Sequence, residues 1–322
     1  MAFRAARFAL LLAPALSLGA SALAQEATPP PAAPVPDVVL EYDVDRADRM
    51  TVPVIVDGRG PFNFVVDTGA ERTAIARELA TDLALGAGRP ARVHSMSEVS
   101  DIQTVVIPNL EVGGKRVAGI QAPALARRHL GAEGMLGVDS LRSQRVSFDF
   151  VRKSMTITPA RRQEERWANG SIVVTGRRIF GRLVLVDAAV DGQKVWVIID
   201  TGSEVTVGNS ALRRKLEGKG RLGPTHPIEA MSITGGRILA ERGTTRRIRL
   251  GDMDINNMPI AFADVHPFKK LDLMDRPALL LGMDVLRLLD RVSVDFANRK
   301  VRMLARPQSS LAERAQLARL ER

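Results

Sequence analysis

The chain is built from short apolar runs separated by turn residues, a pattern that predicts many strands and few helices. Strand-like runs lie on either side of Asp57-Gly58 and again of Asp191-Gly192, dipeptides that suit the tight turn of a hairpin. Arg77 to Leu85 has the spacing of a short helix, and Val93 to Ile107 reads as a strand pair with a polar tip between Ser97 and Asp101. Leu110-Glu111-Val112-Gly113-Gly114 continues as strand and turn, and Asp139 opens a short helix at Ser140-Leu141. The second half repeats this order: a hairpin, a helix near Leu212, a second hairpin over Glu229 to Leu239, and a strand and turn at Ile248-Arg249-Leu250-Gly251. Thr234-Gly235-Gly236 supplies the turn of that second hairpin, since paired glycines permit a tight reversal and close approach of another backbone.

Two of the apolar runs end alike. Phe64-Val65-Val66 runs into Asp67-Thr68-Gly69-Ala70, and Val197-Ile198-Ile199 into Asp200-Thr201-Gly202-Ser203. A carboxylate at the mouth of a buried strand loses hydration, which disfavours its charged form unless a neighbour compensates. A single Asp-Thr-Gly reads as a turn after a strand. Here the surroundings repeat as well. Glu71 and Thr73 match Glu204 and Thr206, Leu136-Gly137-Val138-Asp139 matches Leu281-Gly282-Met283-Asp284, and Arg145-Val146-Ser147-Phe148-Asp149-Phe150 matches Arg291-Val292-Ser293-Val294-Asp295-Phe296. The chain is an internal duplication, and each strand-end acid is expected to be the other's neighbour. The remaining repeated acids have plainer readings. Asp139 and Asp284 stand at helical turns and are expected to cap them. Asp149 and Asp295 lie in alternating strands and are expected on exposed faces.

These duplicated residues resemble the aspartic proteases, both retroviral-like and pepsin-like. The resemblance is carried by apolar-apolar-Asp-Thr-Gly-Ala/Ser and by a later apolar-apolar-Gly, here Met135-Leu136-Gly137 and Leu280-Leu281-Gly282. It covers nearly everything from about residue 46 to 305. It implies a mainly β, bilobal pepsin/retropepsin-like fold of two duplicated barrel-like lobes with short helices. It also implies an aspartic-type endopeptidase with Asp67 and Asp200 as the catalytic pair, and Thr68, Gly69, Ala70, Thr201, Gly202 and Ser203 as supporting loop residues. The threonine hydroxyls would lock the loops across a pseudo-twofold axis. Flaps over the substrate are expected at the two hairpin tips, with Met96, Ser97, Thr234, Gly235 and Gly236 as candidates.

Two full charges about 3 Å apart repel by roughly 5 kcal/mol at an effective dielectric near 20, so one shared proton is expected on the pair. The pair then holds both a base and an acid, able to activate a water without a metal or cofactor. Ser203, facing Ala70 in the other copy, is expected to donate to Asp200 and favour its ionised form. The implied partner is an extended peptide or protein substrate bound by a monomer. Two other readings stay open. One is a peptide-binding module on the same fold without hydrolysis, since neither flap candidate holds a Tyr or Trp. The other is a homodimer in which each Asp-Thr-Gly meets its counterpart in a second chain.

The ends and the composition add context. Residues 1–24 read as a secretory signal, with Arg4 and Arg7, an apolar core interrupted by Pro14, and Ala22-Leu23-Ala24 as the cleavage site. An exported, periplasmic or secreted protein without stable membrane insertion is expected. Residues 25–44 form a Pro/Ala-rich spacer, 45–160 the first lobe, 161–176 a linker, 177–306 the second lobe and 307–322 a tail. The sequence has no Cys, which excludes disulfides, thiol catalysis and thiolate metal sites. Its four His residues, His94, His129, His226 and His266, show no metal-site spacing and are expected to stand singly. A net charge of +10 carried by scattered arginines, with a single Tyr and few aromatics, does not make a nucleic-acid surface. Gly218-Lys219-Gly220-Arg221-Leu222-Gly223 spells G-x-G-x-x-G but follows no strand and reads as a loop.

Overall fold

The structure, a computed structural model, describes residues 38–45, 49–141, 144–160, 167, 170–179, 182–185 and 187–306. Residues 1–24, read above as a signal, the Pro/Ala-rich stretch as far as residue 37, nearly all of 161–169 and the tail from residue 307 lie outside the described residues.

In the first lobe, Met50–Val56 and Arg59–Val66 form the expected hairpin, and the turn Asp57-Gly58 has positive φ at both residues, 48° and 76°. Met50–Val56 buries nearly every other residue and Phe64, Val65 and Val66 are fully buried. The strand order Met50–Val56, Arg59–Val66, Gly134–Leu136, Ala74–Ala76, Lys115–Leu125, Thr104–Val112 returns to Met50–Val56, so six strands close into a barrel around an aliphatic core. Gly134–Leu136 runs parallel to Phe64-Val65-Val66 in register. This pairing carries the later apolar-apolar-Gly element to the mouth of the strand that ends in Asp67.

The second lobe repeats the plan. Trp196–Ile199 pairs in parallel with Ala278–Leu281, Val207–Gly208 lies between Ala278–Leu281 and Met253–Phe262, and Arg237–Leu250 connects on to Ala188–Val190. The turn Asp191-Gly192 again has positive φ, 46° and 74°. Short helices follow each Asp loop, Arg77–Asp82 in the first lobe and Ser210–Glu217 in the second. Asn209 caps the latter by accepting from Leu212 N–H at 2.9 Å. Gly218 to Gly223 lies in the loop after this helix, as expected.

The lobes share one continuous sheet whose first six strands run in the order Val38–Glu41, Ser154–Pro159, Gln144–Asp149, Leu289–Asp295, Lys300–Ala305, Ser171–Ile179, the last of which leads on through Arg182–Leu185 into the second lobe's strands. At its centre the duplicated segments Gln144–Asp149 and Leu289–Asp295 are antiparallel neighbours, with Ser147 opposite Ser293 and their hydroxyls 2.9 Å apart. Three expectations are corrected here. Val38–Glu41 and Asp43–Val44 are strands rather than spacer, because the chain past the prolines finds backbone partners, Val38–Glu41 at the edge of this sheet and Asp43–Val44 on Met50–Val56. Ser171–Ile179 crosses the expected boundary between linker and second lobe. Asp295 is 3% exposed, paired with the buried Arg145 at 3.2 Å, and Asp149 is largely covered, since both faces of this central strand pair are packed. A period of two tells which residues share a face but not whether that face is covered.

Candidate functional site

Asp67 and Asp200 each follow the buried end of a strand, and both backbone amides donate to the neighbouring strand, Asp67 to Leu136 O and Asp200 to Leu281 O, each at 3.0 Å. The chain then turns tightly. Gly69 and Ala70 N–H donate to Asp67 Oδ1 at 2.8 and 2.9 Å, and Gly202 N–H donates to Asp200 Oδ1 at 3.0 Å. The turn is held from behind by the apolar-apolar-Gly elements, which press so close that a Cβ at Gly137 would overlap the Arg72 carbonyl and one at Gly282 would lie 2.5 Å from Val205 O. A side chain at either glycine would push the loop outward.

The two loops meet each other within one chain. Thr68 and Thr201 are fully buried and exchange hydrogen bonds: Thr68 N–H donates to Thr201 Oγ1 at 3.1 Å, and Thr201 N–H to Thr68 Oγ1 at 3.2 Å. Each hydroxyl then donates across the interface, Thr68 Oγ1 to Ile199 O at 2.9 Å and Thr201 Oγ1 to Val66 O at 2.6 Å. As a result each glycine lies against the opposite carboxylate. A Cβ at Gly69 would sit 2.6 Å from the Asp200 carboxylate, and one at Gly202 would overlap that of Asp67. Asp200 is buried, at 4% exposure, and Asp67 half-buried. Two acids thus converge on the loop pair, an arrangement suited to passing a proton between them.

Comparison with protein families supplies the deciding observation. A model described as aspartyl protease matches residues 52–140 and again 186–285, together more than half of the chain and each enclosing one Asp-Thr-Gly copy. The chain belongs to the aspartyl protease family. None of the curated proteins compared with it matches.

This aspartyl protease chain departs from the sequence-based expectations in several places. Ser203 Oγ donates to Val205 O at 2.8 Å, and since a hydroxyl has one proton, the expected donation to Asp200 is not made. Asp139 and Asp284 do accept from the next residue's N–H, but their main partners are across the fold. Asp139 Oδ1 takes Thr73 N–H at 2.9 Å and Thr73 Oγ1 at 2.8 Å, and Asp284 takes Thr206 N–H at 3.0 Å and Thr206 Oγ1 at 2.6 Å. Thr73 and Thr206 in turn accept from Gly137 and Gly282 N–H. These Asp-Thr pairs tie the end of each Asp loop to its apolar-apolar-Gly element. The repeated Thr73 and Thr206 were the available signal, and a cap reading of the acids missed it.

Both hairpins expected as flaps form. In the first, Ala91–His94 pairs with Val99–Ile102 around a tip at Ser95 to Glu98, two residues before the expected tip, because Val99 to Asp101 already pair. In the second, His226–Met231 pairs with Arg237–Leu250 around Ser232 to Gly236, with Gly235 at φ +92°. The tips touch: Thr234 Oγ1 donates to Ser95 Oγ at 3.0 Å, Gly236 packs against Ser97, and Gly235 against His129. Met96 packs onto the second lobe's apolar cluster. His94 and His266, expected to stand singly, are hydrogen-bonded at 2.5 Å between the first flap and the helix His266–Lys270.

Two cavities open from the Asp loops beneath these tips. One, of about 280 Å³, starts at Ala70 and is lined by Glu71, Arg72, Arg92, His94 and Lys270 among others. The other, of about 480 Å³, starts at Gly202 and Ser203 and is lined by Val205, Val207, Ile228 and Ala240 among others. The tips reach across, for Ile233 of the second hairpin lines both cavities and Met96 of the first lines the second. Ile233 was not among the sequence candidates; it adjoins Thr234 and carries no motif of its own.

Proposed function

We propose that this aspartyl protease is an exported endopeptidase in which Asp67 and Asp200 act together on one water. The observation that carries the reading is the reciprocal threonine bonding, with each carboxylate set against the opposite loop's glycine. The ionised Asp takes a proton from the water as its oxygen bonds to the peptide carbonyl carbon, while the protonated Asp hydrogen-bonds the carbonyl oxygen. Breakdown of the tetrahedral intermediate breaks the C–N bond, with a proton passing from the pair to the leaving nitrogen. An extended peptide lies under the two flaps and adds main-chain hydrogen bonds to their edges. The partner that a homodimer would bring to each loop is here the other lobe of the same chain, which favours a monomeric enzyme. Export rests on the signal-like residues 1–24.

The test is substitution of each acid. Asp67→Asn and Asp200→Asn each abolish cleavage of a diverse peptide mixture with the fold retained by circular dichroism, and the double substitution removes little more. Substantial activity in either single variant removes that acid from the mechanism. N-terminal sequencing of the exported protein reads out removal of residues 1–24.

A further inference from the structure

The duplication allows the two cavities to be compared position by position. Counting from the Asp, Glu71 corresponds to Glu204, Arg72 to Val205, and Ala74 to Val207. Arg72 and Val205 each line the cavity of their own lobe. The same backbone position therefore presents a guanidinium on one side of the axis and an isopropyl group on the other.

The surroundings extend the difference. The first cavity gathers Arg72, Arg92 and Lys270 against one acid, Glu71. Lys270 is held by Glu71 at 2.7 Å, and Arg92 by Asp101 at 3.5 Å in an exposed and therefore weak pair. Arg72 makes no ion pair among the described residues and stands exposed at the cavity wall. The second cavity is larger and mainly aliphatic. Its one Arg, Arg49, is committed to Asp45 at 2.5 Å, and the exposed Glu204 makes no ion pair among the described residues. An anionic side chain is attracted by the first cavity and repelled by the second.

Resting on the peptidase reading, we infer that the enzyme selects peptides by opposite chemistry on the two sides of the scissile bond. An Asp or Glu side chain enters the first cavity and pairs with Arg72, and a Leu, Ile, Met or Phe side chain fills the second. The pseudo-twofold axis passes between the two Asp loops, so side chains in cavities related by it belong to opposite sides of the bond. A carboxylate suits the smaller volume, and its planar oxygens match a guanidinium in a two-point contact that Lys does not reproduce in full.

The experiment uses the full chain, its Arg72→Val and Arg72→Lys variants, and paired peptides that differ only by Glu or Gln at the selected position. Cleavage of a randomised peptide mixture, read by mass spectrometry, first locates that position. The expected result is acidic residues enriched on one side of the cut bonds and large aliphatic or aromatic residues on the other. Arg72→Val lowers the Glu-over-Gln ratio of kcat/KM by about tenfold, the order expected for losing a hydrogen bond to a charged group. Arg72→Lys keeps most of the preference. A wild-type enzyme that cuts Glu and Gln peptides alike, or an Arg72→Val variant with an unchanged ratio, overturns the inference while leaving the peptidase reading intact. Binding of the same peptides to the Asp200→Asn protein separates the two ideas. If no peptide is cut but Glu peptides bind more tightly than Gln peptides in an Arg72-dependent way, hydrolysis falls and the specificity stands; equal binding removes the specificity.

Discussion

Replacing Thr201 by Val keeps the side-chain shape and removes only the hydroxyl, which makes it a direct probe of the join between the lobes. That hydroxyl donates to Val66 O at 2.6 Å and accepts from Thr68 N–H at 3.1 Å, in a place with no exposure to solvent. The variant leaves a carbonyl and an amide buried without this partner, each worth about 1–3 kcal/mol, so a loss of about 2–6 kcal/mol is expected. Against a typical total of about 5–15 kcal/mol the effect is large. At about 2–4 °C per kcal/mol, the thermal midpoint falls by roughly 4–24 °C. Thr68→Val removes the mirror-related pair of bonds. Because both hydroxyls belong to one network, the double variant falls short of the sum of the singles by about 0.5–3 kcal/mol. Peptidase activity drops alongside, since an ångström of misplacement between reacting groups can lower the rate by about a hundredfold. The assay is thermal and urea unfolding of the three variants, followed by kcat/KM on one peptide. A Thr201→Val protein within about 0.5 kcal/mol of wild type, or strict additivity in the double variant, refutes the claim that this network joins the lobes.

Three further outcomes follow from the same geometry. Gly69→Ala places a Cβ 2.6 Å from the Asp200 carboxylate and is expected to abolish activity while the circular dichroism spectrum stays native; an active variant shows that the loops have room to part. Ser203→Ala removes a bond to Val205 O rather than to Asp200, so the acidic limb of the kcat/KM profile should stay in place, and a shift of that limb to higher pH would reinstate a Ser203–Asp200 interaction. Arg145→Leu leaves the buried Asp295 without its cationic partner and should lower stability in urea by about 3–5 kcal/mol; a loss under about 1 kcal/mol would show the pair to be dispensable.

Sequence alone determined the repeated parts of this protein. Apolar runs ending in Asp-Thr-Gly, the Asp-Gly hairpin turns and the apolar-apolar-Gly elements are local patterns with local physical causes, and the duplication showed that they recur in order. They were enough to locate the two loops that meet, the hairpins beside them and, through the family resemblance, the two-lobed β architecture. Tertiary structure decided what each polar side chain binds. The hydroxyl of Ser203 turns to Val205 O, and Asp139 and Asp284 reach Thr73 and Thr206, 66 and 78 residues away in sequence. Asp295 and Arg145 are buried because the lobes share a sheet, which neither lobe's own pattern contains. The pairing of His94 with His266 and the reach of Met96 and Ile233 into the other lobe's cavity likewise join residues from different lobes. Strand periodicity and turn propensity act over a few residues, so they fix elements and their faces. Which face is covered, and which donor meets which acceptor, depends on how the two halves come to lie against each other.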